Sequence, residues 1–284
     1  MDRRMLLRLT AIGSASAVLS ATGCSEENRP VSTPEPTGGV TRTVHPYGED
    51  PSQYGALYLP SAEPRGLVVV IHGGFWRPEY SAEALGAPLA AALAGQGWAA
   101  WNLEYRRVGD RSGGGGGAPA TFDDVAAGID LLAELDVDTT TVVTLGHSAG
   151  GHLAAWAAAR GRHGWSERVP VTHVISQAGV LDLRAADAAG LGNGAVRAFL
   201  GHPPTTADAR FDPAQQLPLD VPIWCVHGEA DANVPLSQST DYVERARAAG
   251  ATAELVEMSG DHFVVIDPAS DAWARQLEIL DTIA

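Results

Sequence analysis

Lysine is absent from all 284 residues, so the 19 basic side chains are all arginine. The absence excludes chemistry that depends on a primary amine side chain. A P-loop needs its lysine on the phosphates, a pyridoxal-phosphate enzyme needs a Schiff-base lysine, and Ser-Lys hydrolases need a lysine base. Cysteine is nearly absent too. Only Cys24 and Cys225 occur, which leaves no disulfide framework and no cysteine cluster for zinc. Cys225 lies in an apolar run and reads as a buried free thiol. Positive charge is scarce, with a net charge of −15. A surface of that sign repels phosphate backbones and argues against a nucleic-acid partner. What remains is 45% hydrophobic residues, enough for the core of one large α/β domain.

The first 24 residues read as an export signal. Arg3, Arg4 and Arg8 make a basic start, and the apolar small-residue stretch 9–21 that follows is too short for a membrane span. The start resembles a twin-arginine signal. Gly23-Cys24 resembles the end of a bacterial lipobox, with Ala21 where that pattern prefers leucine. That resemblance implies lipidation of Cys24 and an exported, membrane-attached protein facing outward; ordinary cleavage implies a secreted one. Residues 25–43, rich in Ser, Thr, Pro, Glu and Gly, suit a flexible linker, and a single folded domain is expected over 44–284.

Within that domain strands alternate with helices. Strands are predicted at 54–59, 67–71, 98–103, 142–145, 171–176, 223–226 and 253–257, and helices at 81–94, 122–135, 149–160, 239–249 and 271–283. The alternation predicts an α/β fold with a mainly parallel central sheet and helices on both faces. Such sheets carry their ligand sites at the carboxyl ends of the strands. Residues 113–117, all glycine, read as a flexible surface loop. Arg106 and Arg107 follow a strand end, where a surface salt bridge is the ordinary role and a substrate carboxylate the alternative.

Gly146-His147-Ser148-Ala149-Gly150 fits G-x-S-x-G between a predicted strand and a predicted helix. That context makes Ser148 a candidate nucleophile and the N–H of Ala149 a candidate oxyanion donor. A serine hydroxyl needs a base, and the base needs an orienting carboxylate. His262 follows the final strand and Asp231 follows the strand before it, the chain order this fold requires; Glu229, Asp241 and Asp261 are rival acids. Gly73 and Gly74, after strand 67–71, are the other oxyanion candidates, with His72 anchoring their loop. Phe75, Trp76 and His147 are substrate-pocket candidates. No H-E-x-x-H or tight Cys/His cluster occurs, so neither metal nor cofactor is expected.

His227-Gly228-Glu229-Ala230-Asp231-Ala232-Asn233-Val234-Pro235 resembles the H-G-x-x-D-x-x-V-P stretch of many α/β-hydrolases, including esterases and prolyl-oligopeptidase relatives. His72-Gly73-Gly74-Phe75-Trp76 resembles the H-G-G-x-W of kynurenine formamidases and neighbouring esterases. Over most of residues 54–280 the chain is similar to the α/β-hydrolase superfamily, with further similarity to bacterial feruloyl and acetyl-xylan esterases. The resemblance implies an α/β-hydrolase fold with a small or absent cap. It also implies a serine hydrolase that cleaves a small-molecule ester, or an amide, through an acyl-enzyme. Arylformamidase and peptidase activity are alternatives within the fold. A catalytically inactive binding protein is the alternative outside enzymes.

Overall fold

The computed structural model describes residues 39–284. The predicted export segment, Cys24 and the linker through residue 38 lie outside the described residues. Eight strands follow in chain order: β1 (Thr41–Pro46), β2 (Tyr54–Leu59), β3 (Leu67–Ile71), β4 (Ala99–Leu103), β5 (Val142–His147), β6 (His173–Gln177), β7 (Ile223–Gly228) and β8 (Ala253–Met258). The helices are α1 (Ala82–Leu85), α2 (Ala87–Gly95), α3 (Ala120–Asp130), α4 (Ala149–Ala157), α5 (Leu183–Ala188), α6 (Ala195–Leu200), α7 (Ser237–Ala248) and α8 (Asp271–Ile283).

The strands form one sheet in the order β1-β2-β4-β3-β5-β6-β7-β8. The first two pairings, β1 with β2 and β2 with β4, are antiparallel, and all the others are parallel. β3 shows why a continuous apolar run belongs in the middle. Leu67, Val69 and Ile71 face a cluster that includes Phe122 and Ile129 of α3, Trp156 of α4 and Tyr242 of α7. Val68 and Val70 face the opposite cluster, with Leu89 and Leu93 of α2 and Trp273 and Leu280 of α8. Each such side chain, fully buried, contributes roughly 1.5–3 kcal/mol, so the two-sided core fixes the register of the central strands.

Several sequence expectations need correction. The sheet begins at Thr41, inside the segment read as linker, because β1 is a polar edge strand whose residues are mostly exposed and carry no apolar signal. The predicted helix 81–94 is broken at Gly86, where a Cβ would stand 2.0 Å from Asn102 Oδ1. Asn102 reaches in from β4 to donate to the Ala82 carbonyl at 2.9 Å, and Pro88 restarts the helix. The glycine run 113–117 is not a loose loop. Its backbone is tied by Arg107 N–H to Gly113 O, Gly115 N–H to Gly109 O and Gly116 N–H to Arg107 O, each at 2.7 Å. Gly113, Gly115 and Gly117 take positive φ, and a Cβ on Gly113 would meet the Arg107 guanidinium at 2.0 Å.

Between β6 and β7 the chain forms a small cap from α5 and α6, two six-residue helices too short for their periodicity to stand out. Asp212 helps to tie the cap down. Its carboxylate is fully buried and accepts from Leu183 N–H at 3.2 Å and from Gln215 Nε2 at 2.8 Å. Burial pushes its pKa up to about 6. The folded state therefore binds more protons than the unfolded state between about pH 4 and 6, and stability falls as pH rises through that window. Relative to Asp212→Asn, the wild type is expected to lose about 2–3 kcal/mol between pH 4 and pH 7. Urea unfolding of both proteins at the two pH values checks this, and parallel profiles would refute it.

The start of β1 and the end of α8 both lie toward the amino ends of the parallel strands. β1 runs parallel to β4, so Thr41 sits at the amino end of the parallel strands. Ala284 closes α8, and its carbonyl accepts from Arg65, two residues before β3.

Candidate active site

At the opposite edge of the sheet, four strand ends converge. β5 ends at His147, and Ser148 follows at φ 57°, ψ −116°, a conformation that strains any residue with a side chain. The turn into α4 leaves no space at its glycines. A Cβ on Gly146 would stand 2.1 Å from Gly150 O, and one on Gly150 would stand 2.1 Å from Ile71 O and 2.5 Å from His72 O. The obstacles are backbone atoms, so they yield only if β3 moves. Gly150→Ala is expected to cost about 3 kcal/mol or more of stability, read as a lowered urea midpoint. An unchanged midpoint would contradict the packing argument.

Ser148 N–H already donates to Gln177 O at 2.8 Å. The N–H groups of Gly73, Gly74 and Ala149 donate to no protein acceptor among the described residues. Gly73 lies flat against the serine turn, since a Cβ there would stand 2.6 Å from His147 O and 3.1 Å from Ser148 Cβ. Unspent donors, a helix N-terminus and a serine thus share one spot, an arrangement suited to an anionic oxygen.

His262 Nδ1 donates to Asp231 Oδ2 at 2.6 Å, and neither side chain is appreciably exposed. The other carboxylate oxygen accepts from the N–H groups of Asn233 and Val234 at 2.8 and 2.9 Å. Burial alone would raise the pKa of Asp231. Hydrogen bonds from His227, His262 and Val234 outweigh it and hold the carboxyl well below its usual range. Of the rival acids, Asp261 caps the N–H of Phe263 at 2.9 Å, while Glu229 and Asp241 are exposed. His147 ties the serine turn to the histidine loop. Its ring lies 4.5 Å from that of His262, and its Nε2 donates to the His262 carbonyl at 3.0 Å. Burial, with His262 beside it, lowers the His147 pKa to about 3 and keeps the ring neutral. Ser148 Oγ makes no hydrogen bond among the described residues.

Sequence reasoning missed Glu104. This buried carboxylate accepts from His72 Nε2 at 3.0 Å, from Ala82 N–H at 2.9 Å, from Tyr105 N–H at 3.0 Å and from Arg107. Tyr105 adds a bond from its hydroxyl to His72 O at 2.7 Å. The cluster fixes the base of the Gly73-Gly74 loop and corrects the surface role given to Arg107, which is buried because Glu104 compensates its charge. Arg106 pairs with Asp124, whose carboxylate has almost no exposure. A glutamate at the end of an apolar strand, three residues before an arginine, was the available signal.

Two pocket assignments also change. Trp76 has no exposed surface and stacks on Phe199 of α6 at 4.4 Å between centroids. Positive φ at Gly74, Phe75 and Trp76 curls the loop back, so Trp76 joins the core and does not line a pocket. His147 is likewise buried and faces His262. Phe75 stays partly exposed beside Gly192 of the cap. Phe263, unmarked in the sequence, is 53% exposed and stands edge-on to His262 at 5.3 Å.

A profile for the family described as BD-FAE matches residues 56–245. The chain belongs to the BD-FAE family. The BD-FAE match contains Ser148 and Asp231, and His262 lies beyond it. No curated protein sequence matches the chain. Among solved structures, esterase B from Lactobacillus rhamnosis is 23% identical with a TM-score of 0.74, over 89% of this chain and 87% of that one. The esterase Est2 from Thermogutta terrifontis is 26% identical with a TM-score of 0.65, over 85% and 90%. A truncated carbohydrate esterase from gut microbiota is 20% identical with a TM-score of 0.70, over 84% and 95%. This BD-FAE chain therefore has the α/β-hydrolase fold of an esterase-like hydrolase.

Proposed function

We propose that the protein is a serine esterase that hydrolyses carboxylic esters of short acids through an acyl-enzyme. The observation that carries this reading is the 2.6 Å Asp231–His262 pair, set at the same sheet edge as the strained Ser148 and three unspent N–H groups. Ser148 Oγ attacks the ester carbonyl carbon while His262 Nε2 takes the hydroxyl proton. Gly73, Gly74 and Ala149 donate to the tetrahedral oxyanion. The intermediate collapses, the C–O bond to the alcohol breaks, and His262 returns the proton to the leaving oxygen. Water, deprotonated by His262, then releases the acid and restores Ser148. Asp231 holds the imidazole with its proton on Nδ1 and offsets the charge of the imidazolium.

The short acyl chain is supported by the small cap, which packs Phe199 onto Trp76 behind the loop. Est2 has been solved with butyrate and with propionate bound, and esterase B with a tributyrin phosphonate inhibitor. We further propose that residues 1–24 direct export and that Cys24 carries a lipid; the mass of the mature N-terminus tests this.

The test of activity is hydrolysis of p-nitrophenyl acetate, butyrate and palmitate, together with fluorophosphonate labelling mapped by peptide mass. Acetate and butyrate turnover with label on Ser148 is the expected result. A folded protein that takes no label and cleaves no ester overturns the reading.

A further inference from the structure

Asp231 serves two imidazoles. Its Oδ2 faces His262 Nδ1 at 2.6 Å and His227 Nε2 at 3.1 Å. His227 is fully buried at the end of β7, and the same Nε2 lies 3.0 Å from Val234 O. This nitrogen faces a carboxylate and a carbonyl, two acceptors, so it must carry a proton. The other nitrogen, Nδ1, lies 2.8 Å from the hydroxyl of Ser239 on α7. Ser239, His227 and Asp231 thus stand in line, with His227 Nε2 hydrogen-bonded to Val234 O and 3.1 Å from the oxygen to which His262 donates.

We infer that His227 is a positioning residue for the proposed esterase reaction, acting on His262 through Asp231. The inference rests on the proposed function, which assigns Asp231 and His262 their roles. His227 itself is sealed from solvent and turns its protonated nitrogen away from any substrate, so it is no second base. Its N–H does two jobs. The bond to Val234 O closes the turn that presents Asn233 and Val234 N–H to Oδ1, and the 3.1 Å approach to Oδ2 sets the positive end of the N–H dipole beside the carboxylate. Every acceptor direction of the buried carboxylate is then defined before His262 becomes charged. Without the His227 proton, Oδ2 keeps one donor, and the plane of the carboxylate is held less firmly at the moment the imidazolium forms. The cost falls on turnover and leaves substrate binding untouched.

The experiment compares His227→Leu and His227→Gln in the full chain with p-nitrophenyl butyrate, and records the imidazole ¹⁵N spectrum of the wild type. Glutamine can place an N–H near the position of Nε2, and leucine cannot. His227→Leu is expected to lower kcat about tenfold or more, as for a buried carboxylate deprived of a donor, with KM within about twofold. His227→Gln is expected to recover most of that loss. The wild-type spectrum is expected to show a proton on Nε2 of His227. The inference is overturned by a proton on Nδ1 of His227, by wild-type kcat in His227→Leu, or by an equal loss in a folded His227→Gln. If His227→Leu does not fold, the tautomer and the glutamine variant still decide. A wild type that cleaves no ester and takes no fluorophosphonate label defeats the proposed function itself, a different result from any of these.

Discussion

Ser148→Ala is expected to lower kcat for p-nitrophenyl butyrate by about 10⁶, the scale seen when the nucleophile of a serine triad is removed. The substitution deletes one oxygen and leaves the Cβ in place. The strained φ of 57° and the bonds from Ser148 N–H to Gln177 O and from His152 and Val180 N–H to Ser148 O involve backbone only. The turn should therefore keep its shape, and the thermal midpoint should stay close to that of the wild type. Residual catalysis over water, about 10³-fold, should remain, because the substitution leaves the proposed oxyanion donors, the N–H groups of Gly73, Gly74 and Ala149, in place. The measurement needs protein free of wild-type contamination, checked by fluorophosphonate titration. A loss smaller than about a hundredfold would place the nucleophile elsewhere.

Asp231→Asn should cost about 10⁴ in kcat with little change in fold, as expected when the orienting acid loses its charge but keeps its shape. The local geometry explains why the amide fails. Both carboxylate oxygens face donors only: Asn233 and Val234 N–H on one side, His262 and His227 on the other. An asparagine must turn its NH₂ toward one of these pairs. Toward the backbone, it breaks the 231–234 turn. Toward the imidazoles, it pushes the His262 proton onto Nε2, the nitrogen that should receive the proton of Ser148. Either arrangement leaves few molecules competent. The charge also stabilises the fold. Because the Asp231 pKa is held low, its contribution is complete above the unfolded value of about 3.9 and is lost only as pH falls through the depressed folded value. Asp231→Asn should flatten that acid limb. A variant with more than about a tenth of wild-type kcat would remove Asp231 from the mechanism.

Much of this architecture can be read from the chain because two signals are local and strong. The buried strands announce themselves by continuous apolar runs, and β2 and β3 begin and end where their residues predict. Asp231 and His262 follow from chain order and strand ends, and they stand in contact. What escaped has no local signature. β1 is held by pairing with β2 and not by burial. α5 and α6 owe their stability to packing and caps, including Asp182 at the start of α5. Glu104 and Arg107 form an internal cluster whose members look like surface residues until the loop above them is folded. Trp76 seemed a pocket wall because its neighbours are site residues, and only the backbone φ values reveal that the loop turns it inward.

The placement of β1 and of the carboxyl terminus gives the molecule a polarity. Thr41 and the Arg65–Ala284 contact mark one pole of the sheet, and Ser148, Asp231 and His262 mark the other. Anything joined to the carboxyl terminus, whether an affinity tag, a fused domain or a solid support, meets the blunt pole. The pole that carries Ser148 then points into solution, and protein immobilised through that terminus should keep the KM of the free protein.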